Sequence, residues 1–153
     1  MTGVRRLLRR LGFERAPRGR QVVAAVPVRP RAAGGLEVLL VRTSDGTRWT
    51  FPKGGREHGE TLAEAAAREA IEEAGAAGRV GDDPLGEYRH RDDIVTAFLL
   101  EVDDTRPPDE PWREPMWCGF DVARSRLAEG RDGSDGEGLE RVLLAARRSA
   151  GGG

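Results

Sequence analysis

The sequence predicts one mixed α+β domain, and three observations carry that expectation. Short Val- and Leu-rich runs are separated by Gly, Pro and Asp turns; one strong helical segment interrupts them; strand-like runs then resume before a helical end. A chain of 153 residues has the length of a single domain. Its 33% charged and 38% hydrophobic composition is polar for a globular protein, yet the apolar residues cluster enough to build a core.

In chain order, residues 1–19 come first. Val4, Leu7, Leu8 and Leu11 recur at helical spacing, with Arg5, Arg6, Arg9 and Arg10 on the other face, which predicts a basic amphipathic segment. The domain is expected over 20–149 and a flexible tail over 150–153. Gln21–Val28 and Leu36–Val41 read as a hairpin around Arg31-Ala32-Ala33-Gly34-Gly35. Trp49-Thr50-Phe51 reads as a short strand closed by Pro52, so three strands are expected before residue 52.

Residues 61–74, TLAEAAAREAIEEA, are strong helix formers. Thr61 and Glu64 have the spacing of a capping box, and Gly75 suits the C-terminal cap. Ala63, Ala66, Ala67, Ala70, Ile71 and Ala74 share the arc expected to pack on a sheet. Val80–His90 reads as irregular or extended, Ile94–Val102 and Met116–Phe120 as strands, and Asp121–Ala128 as a helix. A Gly/Asp-rich loop over 130–138 and a helix from Leu139 to Arg148 complete the reading.

Composition removes several function classes. Near-balanced charge, formally −1, leaves no global field to gather nucleic acid, so no stable nucleic-acid partner is expected. One cysteine, Cys118, forms no internal disulfide, and with His58 and His90 it falls short of a four-ligand zinc site. No apolar stretch reaches the length of a membrane span and no cleavable leader pattern opens the chain, so a soluble, cytoplasmic protein is expected.

The chemistry concentrates around the central helix. Glu69, Glu72 and Glu73 line one flank, near the C-terminal end, where the helix dipole disfavours anions and Glu69 and Glu73 repel one turn apart. A solvated acidic face, steadied by Arg68 pairing with Glu64 and Glu72, is the plain reading. The preceding loop, Pro52-Lys53-Gly54-Gly55-Arg56-Glu57-His58-Gly59-Glu60, argues for more. It sets flexible backbone carbonyls and basic side chains beside the acids, a neighbourhood suited to a hard divalent cation held against a phosphate.

These residues together resemble the Nudix box. Gly54, Glu60, Arg68-Glu69, Ile71, Glu72-Glu73 and Gly75 occupy its specified positions, while Ala70 and Ala76 are smaller than the aliphatics it prefers. The resemblance implies an α/β/α sandwich with a mixed β-sheet. It implies a phosphoanhydride hydrolase that uses Mg2+ or Mn2+ on a nucleoside diphosphate linked to another group. It also implies that Glu69 and Glu73 are metal ligands, Glu72 a further ligand or the base, and the Gly54 carbonyl a ligand, while Arg68 pairs with Glu60 to hold the loop.

Flanking residues, including Trp49-Thr50-Phe51-Pro52-Lys53-Gly54-Gly55, look like the branch acting on diadenosine and diphosphoinositol polyphosphates. A dinucleoside polyphosphate such as diadenosine tetraphosphate is the expected substrate. A house-cleaning hydrolase of oxidised nucleoside triphosphates, an RNA-end hydrolase and a non-catalytic nucleotide sensor are the alternatives. Lys53, the only lysine, is a phosphate candidate with Arg42, Arg48 and Arg56, followed by Arg89 and Arg91. Trp49, Tyr88, Trp112 and Trp117 are candidates for stacking on a base, and His58 and His90 are expected at the surface.

Overall fold

The computed structural model describes residues 21–151; the expected N-terminal amphipathic segment lies outside the described residues. In chain order the elements are β1 (Val22–Pro30), β2 (Leu36–Arg42), β3 (Trp49–Thr50), β4 (Lys53–Gly55), α1 (Leu62–Ala74), β5 (Ala76–Val80), β6 (Gly86–His90) and β7 (Asp93–Thr105). A 3-10 turn (Pro111–Arg113), β8 (Met116–Gly119), α2 (Phe120–Ala128) and α3 (Gly133–Gly151) follow.

The sheet is mixed. Its main path runs β3-β2-β1-β7-β5, with β4 paired to β1, β6 to β7 and β8 to β2. β1 and β7 form the one parallel pair among the described strands, with Val22 opposite Val95 and Val28 opposite Glu101. β1 is also a branch point: its Val28–Pro30 end pairs with β2 and its Val22–Ala24 end with β4. That split brings Lys53 and Gly54 onto the central strand beside the helix that follows them.

Side-chain alternation along β1 sorts the two faces. Val23 and Ala25 join Leu39, Val41, Phe98 and Leu100 under α1. Ala24, Val26 and Val28 face the other way, with Val95, Ala97 and Leu99, against Leu127 of α2 and Leu139, Val142 and Leu143 of α3. Helices thus cover both faces, the sandwich that the sequence led us to expect.

Several local expectations need correction. Lys53–Gly55 is a strand, because β1 offers its backbone groups partners that the glycines do not forbid. The Val80–His90 segment, read as irregular or extended, begins at the end of a strand not expected from sequence, β5, and contains β6, both paired with β7. The 130–138 loop is helical from Gly133, and the last helix passes the expected tail boundary at 150 to end at Gly151. On α1 the buried residues are Ala65, Ala66, Ala70 and Ala74 with Glu69, Glu72 and Glu73, whereas Ala63, Ala67 and Ile71 are half-buried.

Candidate active site

The geometry of α1 begins at its caps. Thr61 Oγ1 accepts the Glu64 N–H at 3.1 Å, and Glu64 Oε1 accepts the Thr61 N–H at 2.9 Å, satisfying two donors that the first turn leaves orphaned. At the other end Gly75 adopts φ 65°, a left-handed conformation that glycine takes without strain, and its N–H donates to Ile71 O at 2.9 Å. The helix is thereby fixed in length on both sides of the three glutamates.

Glycine at 54 brings strand and helix together. Gly54 pairs opposite Val23, on the α1 side of the sheet, and a Cβ there would run into the Glu69 carboxylate. Next to it, the Lys53 backbone N–H donates to Glu73 Oε1 at 3.4 Å. Glu69, Glu72 and Glu73 are 6%, 8% and 3% exposed, so the alternative of a solvated acidic face does not hold.

Arg68 binds the loop to the helix. Its guanidinium donates to both oxygens of Glu60, through Nε at 2.7 Å and one terminal nitrogen at 2.8 Å, and the same terminal nitrogen donates to Gly55 O at 2.9 Å. The other terminal nitrogen reaches Glu69 Oε1 at 2.8 Å and Glu72 Oε2 at 3.4 Å. Burial disfavours its charge, but Glu60, Glu69 and Glu72 outweigh that and hold it more firmly protonated than a free arginine. Glu64 is not among its partners, because the capping box engages that side chain.

The Glu73 carboxyl lies well above the usual carboxylate range. Burial is the main cause; Arg113 opposes it, Glu69 and Glu110 add to it, and Lys53 opposes it again. The Lys53 ammonium is shifted down by burial, with Glu73 resisting and Arg113 and Arg91 assisting. Among the described residues, no group of three His, Cys, Asp or Glu side chains converges closely enough to hold a metal ion. Arg68, by engaging Glu69 and Glu72, draws two of the three carboxylates towards itself.

Sequence reasoning missed a second buried pair. Glu110 is 2% exposed and Arg113 8% exposed; Arg113 Nε donates to Glu110 Oε1 at 3.1 Å and a terminal nitrogen donates to Arg42 O at 3.3 Å. The N–H groups of Asp109 and Glu110 both donate to Glu72 O, which fastens this loop to the helix turn that carries the acids. The pair lies more than thirty residues beyond the box, and no local periodicity marks it.

The basic candidates divide. Arg42 stacks on the Trp49 ring at 4.0 Å and pairs with Glu114, and Arg56 donates to Gln21 and to Glu60 O. Arg48 reaches Gly130 O at 3.5 Å, and Arg89 and Arg91 are exposed. His90 is half-buried, which corrects its expected place at the surface, while His58 is exposed. Of the aromatic candidates, Trp49 and Tyr88 are buried, Trp117 lies under Arg29 at 3.9 Å, and Trp112 is 53% exposed.

Comparison with known proteins agrees with this architecture. The profile of the NUDIX domain matches residues 19–148. Among curated relatives, Nudix hydrolase 4 of Arabidopsis thaliana is 37% identical over 120 residues, covering 69% of this chain and 58% of that protein. Nudix hydrolase 17, mitochondrial, of the same plant is 41% identical over 127 residues, covering 73% and 69%. The chain spans little more than half the length of the first of these. The crystal structure of a C. elegans Ap4A hydrolase binary complex shares the fold, with a TM-score of 0.66 at 23% identity over 88% of this chain and 99% of that one. A Nudix hydrolase from M. smegmatis, RenU, gives 0.59 at 20% identity over 87% of each. With a family profile matching most of its length and a Gly54–Gly75 loop and helix clamped by Arg68, the chain belongs to the Nudix family.

Proposed function

We propose that this chain is a divalent-metal-dependent hydrolase of phosphoanhydride bonds, acting on a nucleoside diphosphate linked to another group. The observation that carries the reading is the burial of Glu69, Glu72 and Glu73 together on one helix flank, with Glu69 packed against Gly54 where a Cβ would collide with its carboxylate. Three buried carboxylates are costly for folding, and a hard cation with oxygen ligands relieves that cost. The donors suit such an ion in kind, all oxygen, once the cation displaces Arg68 from Glu69 and Glu72: Glu69 and Glu73 as ligands, Glu72 as a further ligand or the base, and the Gly54 carbonyl beside them. Bound there, Mg2+ or Mn2+ supplies charge neutralisation on phosphoryl oxygens and an acidified water.

The chain's own residues supply the rest. Arg68 and Glu60 hold the loop at a fixed distance from the helix, so the Gly54 carbonyl and the carboxylates keep one mutual geometry. Lys53 binds substrate phosphate, and Arg48 and Arg56 stand on neighbouring segments. We further propose a dinucleoside polyphosphate such as diadenosine tetraphosphate as substrate. The residues flanking the box support this, and an Ap4A hydrolase of the same fold makes that substrate the first to try. Hydrolysis of oxidised nucleoside triphosphates is the competing reading. No described helix is long and apolar enough to cross a membrane. The location stays open, since the names of some relatives include mitochondrial and chloroplastic.

A Mg2+-dependent screen over dinucleoside polyphosphates, ADP-ribose, nucleoside triphosphates and inositol pyrophosphates tests the proposal. Diadenosine tetraphosphate is expected to show the highest kcat/KM. A tenfold lead by ADP-ribose or a triphosphate, about 1.4 kcal/mol in transition-state binding, overturns the substrate assignment.

A further inference from the structure

The loop after β7 crosses the C-terminal end of α1. A helix leaves its last carbonyls without partners of its own, and this loop supplies donors to two carbonyls there. The Arg106 N–H donates to Gly75 O at 2.8 Å, and the N–H groups of Asp109 and Glu110 donate to Glu72 O at 2.9 and 3.3 Å. The approach is close, since a Cβ on Gly75 would strike the Arg106 carbonyl. Glycine at this position thus serves the crossing as well as the cap.

Backbone bonds alone would fasten such a loop, yet the chain adds a buried ion pair. Arg113 bridges the Glu110 carboxylate to the Arg42 carbonyl at the end of β2, and Arg42 returns the contact through its 3.3 Å pair with Glu114. Glu114 holds left-handed backbone at φ 48°, a conformation unfavourable for a residue with a Cβ, which persists where the surroundings impose it. A buried ion pair is a poor route to stability, because apolar side chains of similar volume often do as well or better. What an arginine fork between two acceptors supplies is a fixed geometry.

That geometry bears on the acids. The Glu72 carbonyl, which takes the two N–H groups of the loop, belongs to the planar peptide that joins Glu72 to Glu73. From the strand side, the Lys53 N–H holds the Glu73 carboxylate. The loop therefore fixes the backbone between the two acids, and β4 fixes the side chain of the second.

We infer that Glu110 and Arg113 are positioning residues, which hold the Glu72–Glu73 peptide so that both carboxylates meet a divalent cation in one geometry. The inference rests on the hydrolase reading above and adds to it two residues outside the Gly54–Gly75 loop and helix. They act through the backbone of the acids and are not ligands themselves.

The test replaces both at once, Glu110→Met with Arg113→Met, which keeps the net charge and fills the space with apolar side chains. Melting of the full chain in EDTA is expected at or above the parent temperature. Calorimetry with MgCl2 alone as the probe should show the Mg2+ Kd raised about tenfold or more, the range seen when groups that orient metal ligands are removed. With diadenosine tetraphosphate at saturating Mg2+, the loss should fall on kcat and leave KM near the parent's. Arg113→Lys keeps the charge but lacks the fork that reaches both acceptors, so it should recover part of the Mg2+ affinity. Should the double variant fail to fold, Arg113→Lys alone carries the test, with a smaller rise in Kd expected.

A folded variant with parent-like Mg2+ affinity and kcat overturns the inference and leaves the hydrolase reading standing. An affinity that falls only in step with melting temperature also overturns it, since the pair is then merely structural. If Mg2+ binding depends on the pair but no screened polyphosphate is hydrolysed, the hydrolase reading fails and the positioning role stands. A parent that takes up no Mg2+ overturns both.

Discussion

The helices on the two faces of the sheet follow opposite rules. α3 buries Leu139, Val142, Leu143 and Ala146, four apolar side chains at helical spacing. α1 buries four alanines and three glutamates. The alanines let the helix approach β1 and β4 closely, which is how Glu69 comes to lie where a Cβ on Gly54 would be. One helix therefore derives its stability from apolar area, and the other spends buried positions on charge. Substitutions should act in opposite directions on the two.

The largest expected effect on stability is on α3. Leu143→Ala removes a fully buried side chain and should destabilise by about 2–5 kcal/mol, with or without Mg2+, while kcat of the folded protein stays near the parent value. Denaturant titration in EDTA and in Mg2+ checks this, and a metal-dependent loss would show that α3 is coupled to the acids after all.

A second effect belongs to His90, the last residue of β6. The His90 pKa is lowered in the folded state to about 3, so the unfolded chain takes up this proton first as the solution is acidified. The associated stability is present above about pH 6.5 and is lost as pH falls from there towards 3, by at most about 1.4 kcal/mol per pH unit. His90→Gln should flatten this part of the stability profile. Parallel profiles for the two proteins would show that burial does not lower the His90 imidazole in the folded state.

The same contrast explains what was legible in the sequence. α1 was readable from end to end because its signals are local: Thr61 and Glu64 cap it, and Gly75 stops it. Its buried face was read in part: Ala66, Ala70 and Ala74 are buried as expected, but periodicity assigns burial to apolar residues and missed that β4 packs on Glu69 and Glu73. β4 itself, Lys53-Gly54-Gly55, has no strand propensity and exists by pairing with β1. β5 likewise depends on β7, a partner distant in sequence. The glycine-rich start of α3 read as loop, yet a Cβ at Gly138 would lie 2.9 Å from Tyr88 Cβ, so that position is small because β6 is close. The box residues were found by their spacing, whereas Glu110 and Arg113 reach the site through long-range packing that no spacing encodes.

The smallest change in metal-free stability carries the central claim, that α1 holds its acids for a cation. Burial has already raised the Glu73 carboxyl well above its usual range, so this carboxylate opposes folding at neutral pH and favours it only below its unfolded pKa. In EDTA, Glu73→Gln should therefore leave the protein as stable as the parent or more so by a few tenths of a kcal/mol. In Mg2+ the order should invert. The parent gains RT ln(1 + [L]/Kd), about 2.7 kcal/mol at a hundredfold excess over Kd, while the variant gains less and loses most of its hydrolysis. The direct measurement is a pair of melting curves for each protein, with EDTA and with Mg2+, alongside phosphate release from diadenosine tetraphosphate. A crossing of the two stabilities is the predicted result. An equal Mg2+-induced shift with full activity in Glu73→Gln would contradict the account.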